Sequence, residues 1–289
     1  MIPASYIQSW SSKAPWPDSQ QIEQDLIISR ALCDLFNSQA LKGKVAFRGG
    51  TAINKLLFQK PLRYSEDIDL VQTQQEPIRA TLDAIRKALS WLGNFSYDQA
   101  SHSTHLVFKF SPEMAPDSAP LKVKVEINTR EHQNLYPLRN YQFEVDSEWF
   151  KAKTEIVSFE PEELFGTKLR ALLQRRKNRD LFDLDQGITR LSMDLNKLIA
   201  CFEHYLALQE QSITRAVAEE RMLEKLKKSL SEDIAPLLPA GVTFTEDEAI
   251  AAFGKVWLEL ITRMKGDPWK LTEKVIEELR ATRIPKLLR

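Results

Sequence analysis

A chain of 289 residues, 43% hydrophobic and 28% charged, can bury a sizeable core as one large or two modest domains, which excludes a disordered or fibrous class. Forty Lys and Arg balance forty Asp and Glu, so no overall field draws the molecule to nucleic acid or membrane, and any polyanion site must be a local patch. The two cysteines, Cys33 and Cys201, are far apart, the opening "MIPASYIQSW" lacks the features of a signal peptide, and no apolar run approaches the roughly 18 residues of a membrane span. The expected compartment is the cytoplasm, with no membrane among the partners.

In chain order, "DSQQIEQDLIISRALCDLF" opens with Asp18 or Ser19 as a cap and then carries Ile22, Leu26, Ile27, Ala31 and Leu35 at helical spacing, which predicts a first helix. "KVAFRGG" reads as a short strand entering a glycine turn, "TAINKLLF" as a helix, and "SEDIDLV" as a half-buried strand. Another helix is predicted over "EPIRATLDAIRKALSWL". "THLVFKF" and "LKVKVEINT" then alternate as strands able to pair antiparallel, separated by the loop "SPEMAPDSAP". From Pro161 onwards the pattern is helical nearly to the end, with breaks near "PLLPAG" and "KGDPW". The expected organisation is α+β over residues 1–155 and mainly helical over 156–289.

The stretch "FRGGTAINKLLFQKPLRYSEDIDLV" carries the chemistry. Side chains two apart on a strand share a face, so Asp67 and Asp69 point together, with Ser65, while Ile68 and Leu70 turn to the core. Neighbouring carboxylates repel unless something positive lies between them, and hard oxygen ligands at a site that also holds phosphate suit Mg²⁺. Gly49 and Gly50 let backbone approach a ligand, and Thr51 at a helix start adds a hydroxyl and N–H groups where the helix dipole favours an anion. Jointly they describe a site for a metal-bound triphosphate. Taken singly, a Gly-Gly-Thr turn and an Asp-x-Asp strand end are also common as plain structure.

Gly-Gly followed one short helix later by Asp-x-Asp on a strand resembles the signature of the polymerase-β-like nucleotidyltransferase superfamily, and "FRGGTAINKL" with "RYSEDIDL" is similar to its AbiEii/MenT branch of bacterial toxins. "EELFGTKLRALLQRRKNRDLFDL", residues 162 to 184, resembles that branch's second block. The resemblance covers residues 45 to 185. It implies an N-terminal domain with a small mixed sheet flanked by helices, and a helical domain whose Lys168 to Asp183 segment completes the active site. It further implies that Asp67, Asp69, Lys168 and Asp183 are catalytic, that Asp67 and Asp69 hold Mg²⁺, two ions being expected, and that Gly49, Gly50, Thr51, Ser65 and Lys168 bind an NTP. A later strand commonly supplies a third carboxylate in the superfamily. Glu126 is the candidate metal ligand, although with Lys124 and Asn128 it could equally form the wet face of a strand. The branch acts in toxin–antitoxin and phage-defence systems, so a cognate antitoxin is implied, and some relatives extend the 3′ acceptor end of tRNA.

Lys168, Arg170, Arg175, Arg176, Lys177 and Arg179 fall within twelve residues without an acid. Lys168, Leu172, Arg175 and Arg179 repeat at four, three and four, which would put three cations on one side of a helix. Arg175, Arg176 and Arg179 are the candidate RNA contacts. The alternatives are a solvated helix face, or neutralisation by Asp180, Asp183 and Asp185. His102, His105, His132 and His204 show no metal spacing, and the six tryptophans are scattered as packing residues are. The expected reaction is transfer of a nucleoside monophosphate from an NTP to an RNA hydroxyl, at the tRNA 3′ end, with release of pyrophosphate. Two other readings keep the fold: modification of a protein or small molecule, and a non-catalytic binding protein, against which the intact Asp67, Asp69 and Lys168 argue.

Overall fold

A computed structural model describes residues 2–99 and 103–288, so that His102 lies outside the described residues. The chain divides into two compact units, Met1–Glu160 with Leu237–Val242, and Pro161–Pro236 with Thr243–Arg289.

The first unit is built on a mixed sheet of, among the described residues, seven strands: β1 (Val45–Arg48), β2 (Asp67–Gln72), β3 (Phe95–Gln99), β4 (Ser103–Phe110), β5 (Leu121–Asn128), β6 (Arg139–Asp146) and β7 (Lys151–Ser158). They lie in the order β3-β4-β5-β2-β1-β7-β6. β1 pairs antiparallel with β2 and parallel with β7, and β2 runs parallel to β5. β4 and β5 pair antiparallel, as their alternation predicts. Helices α1 (Ala4–Trp10), α2 (Ser19–Phe36), α3 (Gly49–Leu56) and α4 (Arg79–Ala88) complete the unit. This is the α+β architecture expected from the sequence.

Alternation decides which way each strand faces. Ile68 and Leu70 of β2, Val123, Val125 and Ile127 of β5, and Leu106 and Phe108 of β4 are buried on one face. The long helix α2 supplies Leu26, Ile28, Leu32 and Leu35, all fully buried, to the same core. Asp18 is its cap, the carboxylate accepting from the Gln20 backbone N–H. The break read at "PLLPAG" has a structural cause: Leu237–Val242 belongs to the first unit, where the Leu237 carbonyl accepts from Tyr64 N–H and Ala240 N–H donates to the Pro15 carbonyl, both at 2.7 Å.

The second unit is helical: α5 (Pro161–Gln174), α6 (Arg179–Arg190), α7 (Leu195–Ala207), α8 (Arg215–Lys225), α9 (Glu246–Glu259) and α10 (Thr272–Thr282). α5 and α7 cross so closely at Gly166 that an added Cβ would lie 2.7 Å from the Cys201 Cβ, which requires glycine there. α9 starts with a capping box between Thr245 and Glu248. Cys33 and Cys201 are free and buried, and burial pushes both thiols up to about 12. Among the described residues no helix is long and apolar enough to cross a membrane.

Candidate active site

In the first unit the acidic residues of β2 stand on the face opposite the core. Asp67 and Asp69 are half-buried and alternate with buried Ile68 and Leu70. Strand register then builds a polar row across the sheet: Arg48 of β1 lies beside Asp69, Asp69 beside Glu126 of β5, and Glu126 beside His105 of β4. A second row puts Lys124 of β5 beside Asp67. Arg48 is ion-paired to the buried Glu131. The Lys124 Nζ lies 3.1 Å from Glu126 Oε2 and 3.5 Å from Asp67 Oδ2, and His105 Nε2 lies 3.4 Å from the same Glu126 oxygen. Burial alone would raise the Glu126 carboxyl, but Lys124 and His105 hold it below the usual carboxylate range. Desolvation would lower the Lys124 ammonium, yet Asp67 and Glu126 raise it above the ordinary lysine value. Glu126, the candidate third carboxylate, stands in register with Asp69, with Lys124 and His105 as its ion-pair partners.

Helix α3 begins directly after β1, at Gly49, whose φ is +83°. A Cβ on Gly49 would fall 1.9 Å from Asp69 Oδ2, so the Asp69 carboxylate packs against bare backbone at the start of α3. This gives the first glycine a specific reason: positive φ and the close approach of a carboxylate together. Gly49→Ala should displace Asp69 and strain the turn, lowering stability by about 1–3 kcal/mol. A thermal melt together with a transfer assay checks this, and unchanged values in both would remove the packing argument. Thr51 is 1% exposed, and its hydroxyl is engaged with Ser65 Oγ at 2.9 Å and with the Asp67 carbonyl oxygen. The Thr51 hydroxyl therefore ties α3 to the start of β2, where the sequence suggested a hydroxyl open to phosphate. Gly50 is buried in the first turn of α3. Asn54, on the same helix, accepts from the N–H groups of Leu62 and Arg63 and fixes the loop that leads into β2.

In the second unit, Lys168 sits mid-way along α5, 6% exposed, between buried Leu164 and Leu172. Its Nζ lies 3.2 Å from Asp180 Oδ1 and 3.0 Å from Asp183 Oδ2, both carboxylates on α6 and both buried. Arg175 closes on Asp180 from the other side, Nε to Oδ2 at 2.7 Å and Nη2 to Oδ1 at 2.8 Å. Burial would raise the Asp180 carboxyl, but Lys168 and Arg175 outweigh it and hold it at about 2.

The expected helical row of Lys168, Leu172, Arg175 and Arg179 does not form. α5 ends at Gln174 and α6 starts at Arg179, and Lys168 and Leu172 face the core. The helix stops because its surroundings take over the backbone. Lys225 donates to the Arg175 carbonyl at 2.7 Å, the Asp233 carboxylate accepts from Asn178 N–H, and Asn178 Nδ2 donates to the Ser229 carbonyl. Arg176 and Lys177 are exposed in this connection, while Arg179 opens α6 half-buried. The alternative of neutralisation by neighbouring acids is what forms here: Asp180 pairs with Lys168 and Arg175, and Asp183 with Lys168. Lys124 was visible as a polar neighbour of Glu126, with no sign that it would reach Asp67.

The family model of the nucleotidyl transferase AbiEii toxins of type IV toxin–antitoxin systems matches residues 30–257. The chain belongs to the AbiEii nucleotidyltransferase toxin family. The chain is similar in fold to MenT4, a nucleotidyltransferase toxin from Mycobacterium tuberculosis, with a TM-score of 0.61 at 15% identity over 98% of this chain and 100% of that one. It is similar also to JHP933 from Helicobacter pylori, with a TM-score of 0.55 at 16% identity over 91% of this chain and 98% of that one. No curated protein matches the sequence significantly. Family membership makes the chain a nucleotidyltransferase, implies an NTP as its substrate and implies an antitoxin partner.

Proposed function

We propose that this member of the family transfers a nucleoside monophosphate from an Mg²⁺-bound NTP to a hydroxyl of RNA, at the 3′ end of tRNA, and so blocks translation and growth until its antitoxin neutralises it. In the reaction the acceptor oxygen bonds to the α-phosphorus, the bond from that phosphorus to the bridging oxygen breaks, pyrophosphate leaves, and the acceptor proton passes to solvent. The donor set of Asp67 and Asp69 fits a hard divalent cation: two carboxylates share one strand face, with the Asp69 carboxylate seated against Gly49. Bound there, such an ion would neutralise the triphosphate and lower the pKa of the attacking hydroxyl. Asp67 and Asp69 would hold it, Gly49, Gly50 and Ser65 would border the phosphates and Thr51 would fix the turn, while Lys168, ion-paired with Asp183 and Asp180 in the helical unit, is the further residue proposed to bind the NTP.

The observation that favours RNA over a small acceptor is a cleft of about 1110 Å³ in the helical unit, lined by Arg176, Lys177, Arg221, Lys225, Lys227 and Lys228. Cations outnumber the acids Glu224, Glu232 and Asp233 on its walls although the chain as a whole is neutral. Such a local basic patch supports a polyanionic acceptor in a chain without net charge. Arg175, ion-paired with Asp180, lines the cleft together with exposed Arg176 and Lys177, whereas half-buried Arg179 is not on its wall. Incubating the protein with each labelled NTP, Mg²⁺ and total tRNA tests the reading: label on RNA supports it, and label on protein or a small molecule instead refutes it. Arg176→Ala with Lys177→Ala should raise the KM for tRNA several-fold and leave the KM for NTP unchanged. An equal change in both constants would detach the cleft from the acceptor.

A further inference from the structure

Lys124 stands among the carboxylates of the candidate site. It is on β5, in register with Asp67, so its backbone is fixed by the sheet at the strand neighbouring the Asp-x-Asp pair. Its ammonium reaches back between Asp67 Oδ2, at 3.5 Å, and Glu126 Oε2, at 3.1 Å, with the side chain about one-third exposed. Glu126 is further engaged by His105 Nε2 at 3.4 Å. We propose that the Lys124 ammonium permanently takes the place beside Asp67 that a second divalent ion would occupy, so that the site carries one metal ion, on Asp67 and Asp69.

Three observations lead there. A divalent ion bridging Asp67 and Glu126 would need their oxygens at about 2.0–2.1 Å, the space through which Lys124 Nζ now contacts both. Cations are already interleaved with the carboxylates of this face, Lys124 between Asp67 and Glu126, His105 beside Glu126 and Arg48 in register with Asp69. Among the described residues, moreover, no group of three or more His, Cys, Asp or Glu side chains has metal-holding geometry, in keeping with a two-carboxylate metal site completed by substrate and water. Lysine suits the role because its charge is compact and its three N–H donors can serve two carboxylates together.

The inference rests on the metal reading of Asp67 and Asp69, and counting bound ions separates the two. The full-length protein is titrated with Mn²⁺ alone, bound and free ion being resolved by electron paramagnetic resonance. The expected result is one Mn²⁺ per chain in the native protein and in Lys124→Arg, and two in both Lys124→Met and Lys124→Gln, with circular dichroism reporting the fold of each. Two ions in the native protein would overturn the proposal, because Lys124 would then simply move aside. One ion in both neutral variants would also overturn it. No bound ion in the native protein would overturn the metal reading and this inference with it. Should a neutral variant not fold, the native count and the other variant decide.

Discussion

Asp67→Asn and Asp69→Asn should each lower nucleotidyl transfer by at least about two orders of magnitude, more than is typical for losing a residue that only supports a metal ligand. Both substitutions keep the shape of the side chain and remove its charge, so the packing of Asp69 against Gly49 survives while the metal loses a ligand. Stability responds differently. Asp67 is about one-third exposed and its ion pair with Lys124 is of a kind worth only about 0.2–1 kcal/mol, whereas neutralising one of two like charges on a strand face relieves repulsion. The melting temperature in EDTA should therefore barely move, and in the native protein alone it should rise on adding Mg²⁺. Initial rates with labelled NTP, set beside melts with and without metal, check both halves. Near-native turnover in either variant would remove the metal-site assignment.

The sequence made the Asp67 and Asp69 face legible because a strand with one buried side enforces strict alternation, and "DIDL" has no other way to bury Ile68 and Leu70. β4 and β5 were readable for the same reason. β6 and β7 were not: on β6 only Val145 is fully buried, and on β7 the buried positions include Thr154 and Ser158, so polar residues occupy inward places and the hydrophobic period fades. Ser158 tolerates burial because its hydroxyl donates to the Phe47 carbonyl. The α5 to α6 region shows a second limit. Arg175, Arg176 and Lys177 have good helix propensity and invite an unbroken helix, but contacts from Lys225, Ser229 and Asp233, some fifty residues on, end it. Motif resemblance pointed to Lys168 and Asp183, and their ion pairing was one open alternative, but local spacing could not reveal that the pair is buried.

That burial changes what Lys168 should do when replaced. A lysine on a solvated helix face would cost less than about 0.5 kcal/mol on truncation, but Lys168 neutralises two carboxylates that are themselves inaccessible. Lys168→Met should lower the unfolding free energy by about 3–5 kcal/mol, since Asp183 loses the cation 3.0 Å from it and Asp180 loses one of its cations while keeping Arg175. The acid limb of stability reports the same pair. The Asp180 carboxyl, held at about 2 against an ordinary 3.8, adds stability that is complete above about pH 4 and lost as the pH falls through about 2. In Lys168→Met that dependence should flatten. A structural role alone would predict that Lys168→Met combined with Asp183→Leu, an apolar replacement of the pair, recovers both stability and NTP use. If Lys168 also meets the triphosphate, the double variant should recover stability while the rate at low NTP stays about one to two orders of magnitude down, the loss expected for one charge-assisted contact. Denaturant melts and steady-state kinetics with varied NTP decide between the two, and full recovery of the kinetics would confine Lys168 to the scaffold.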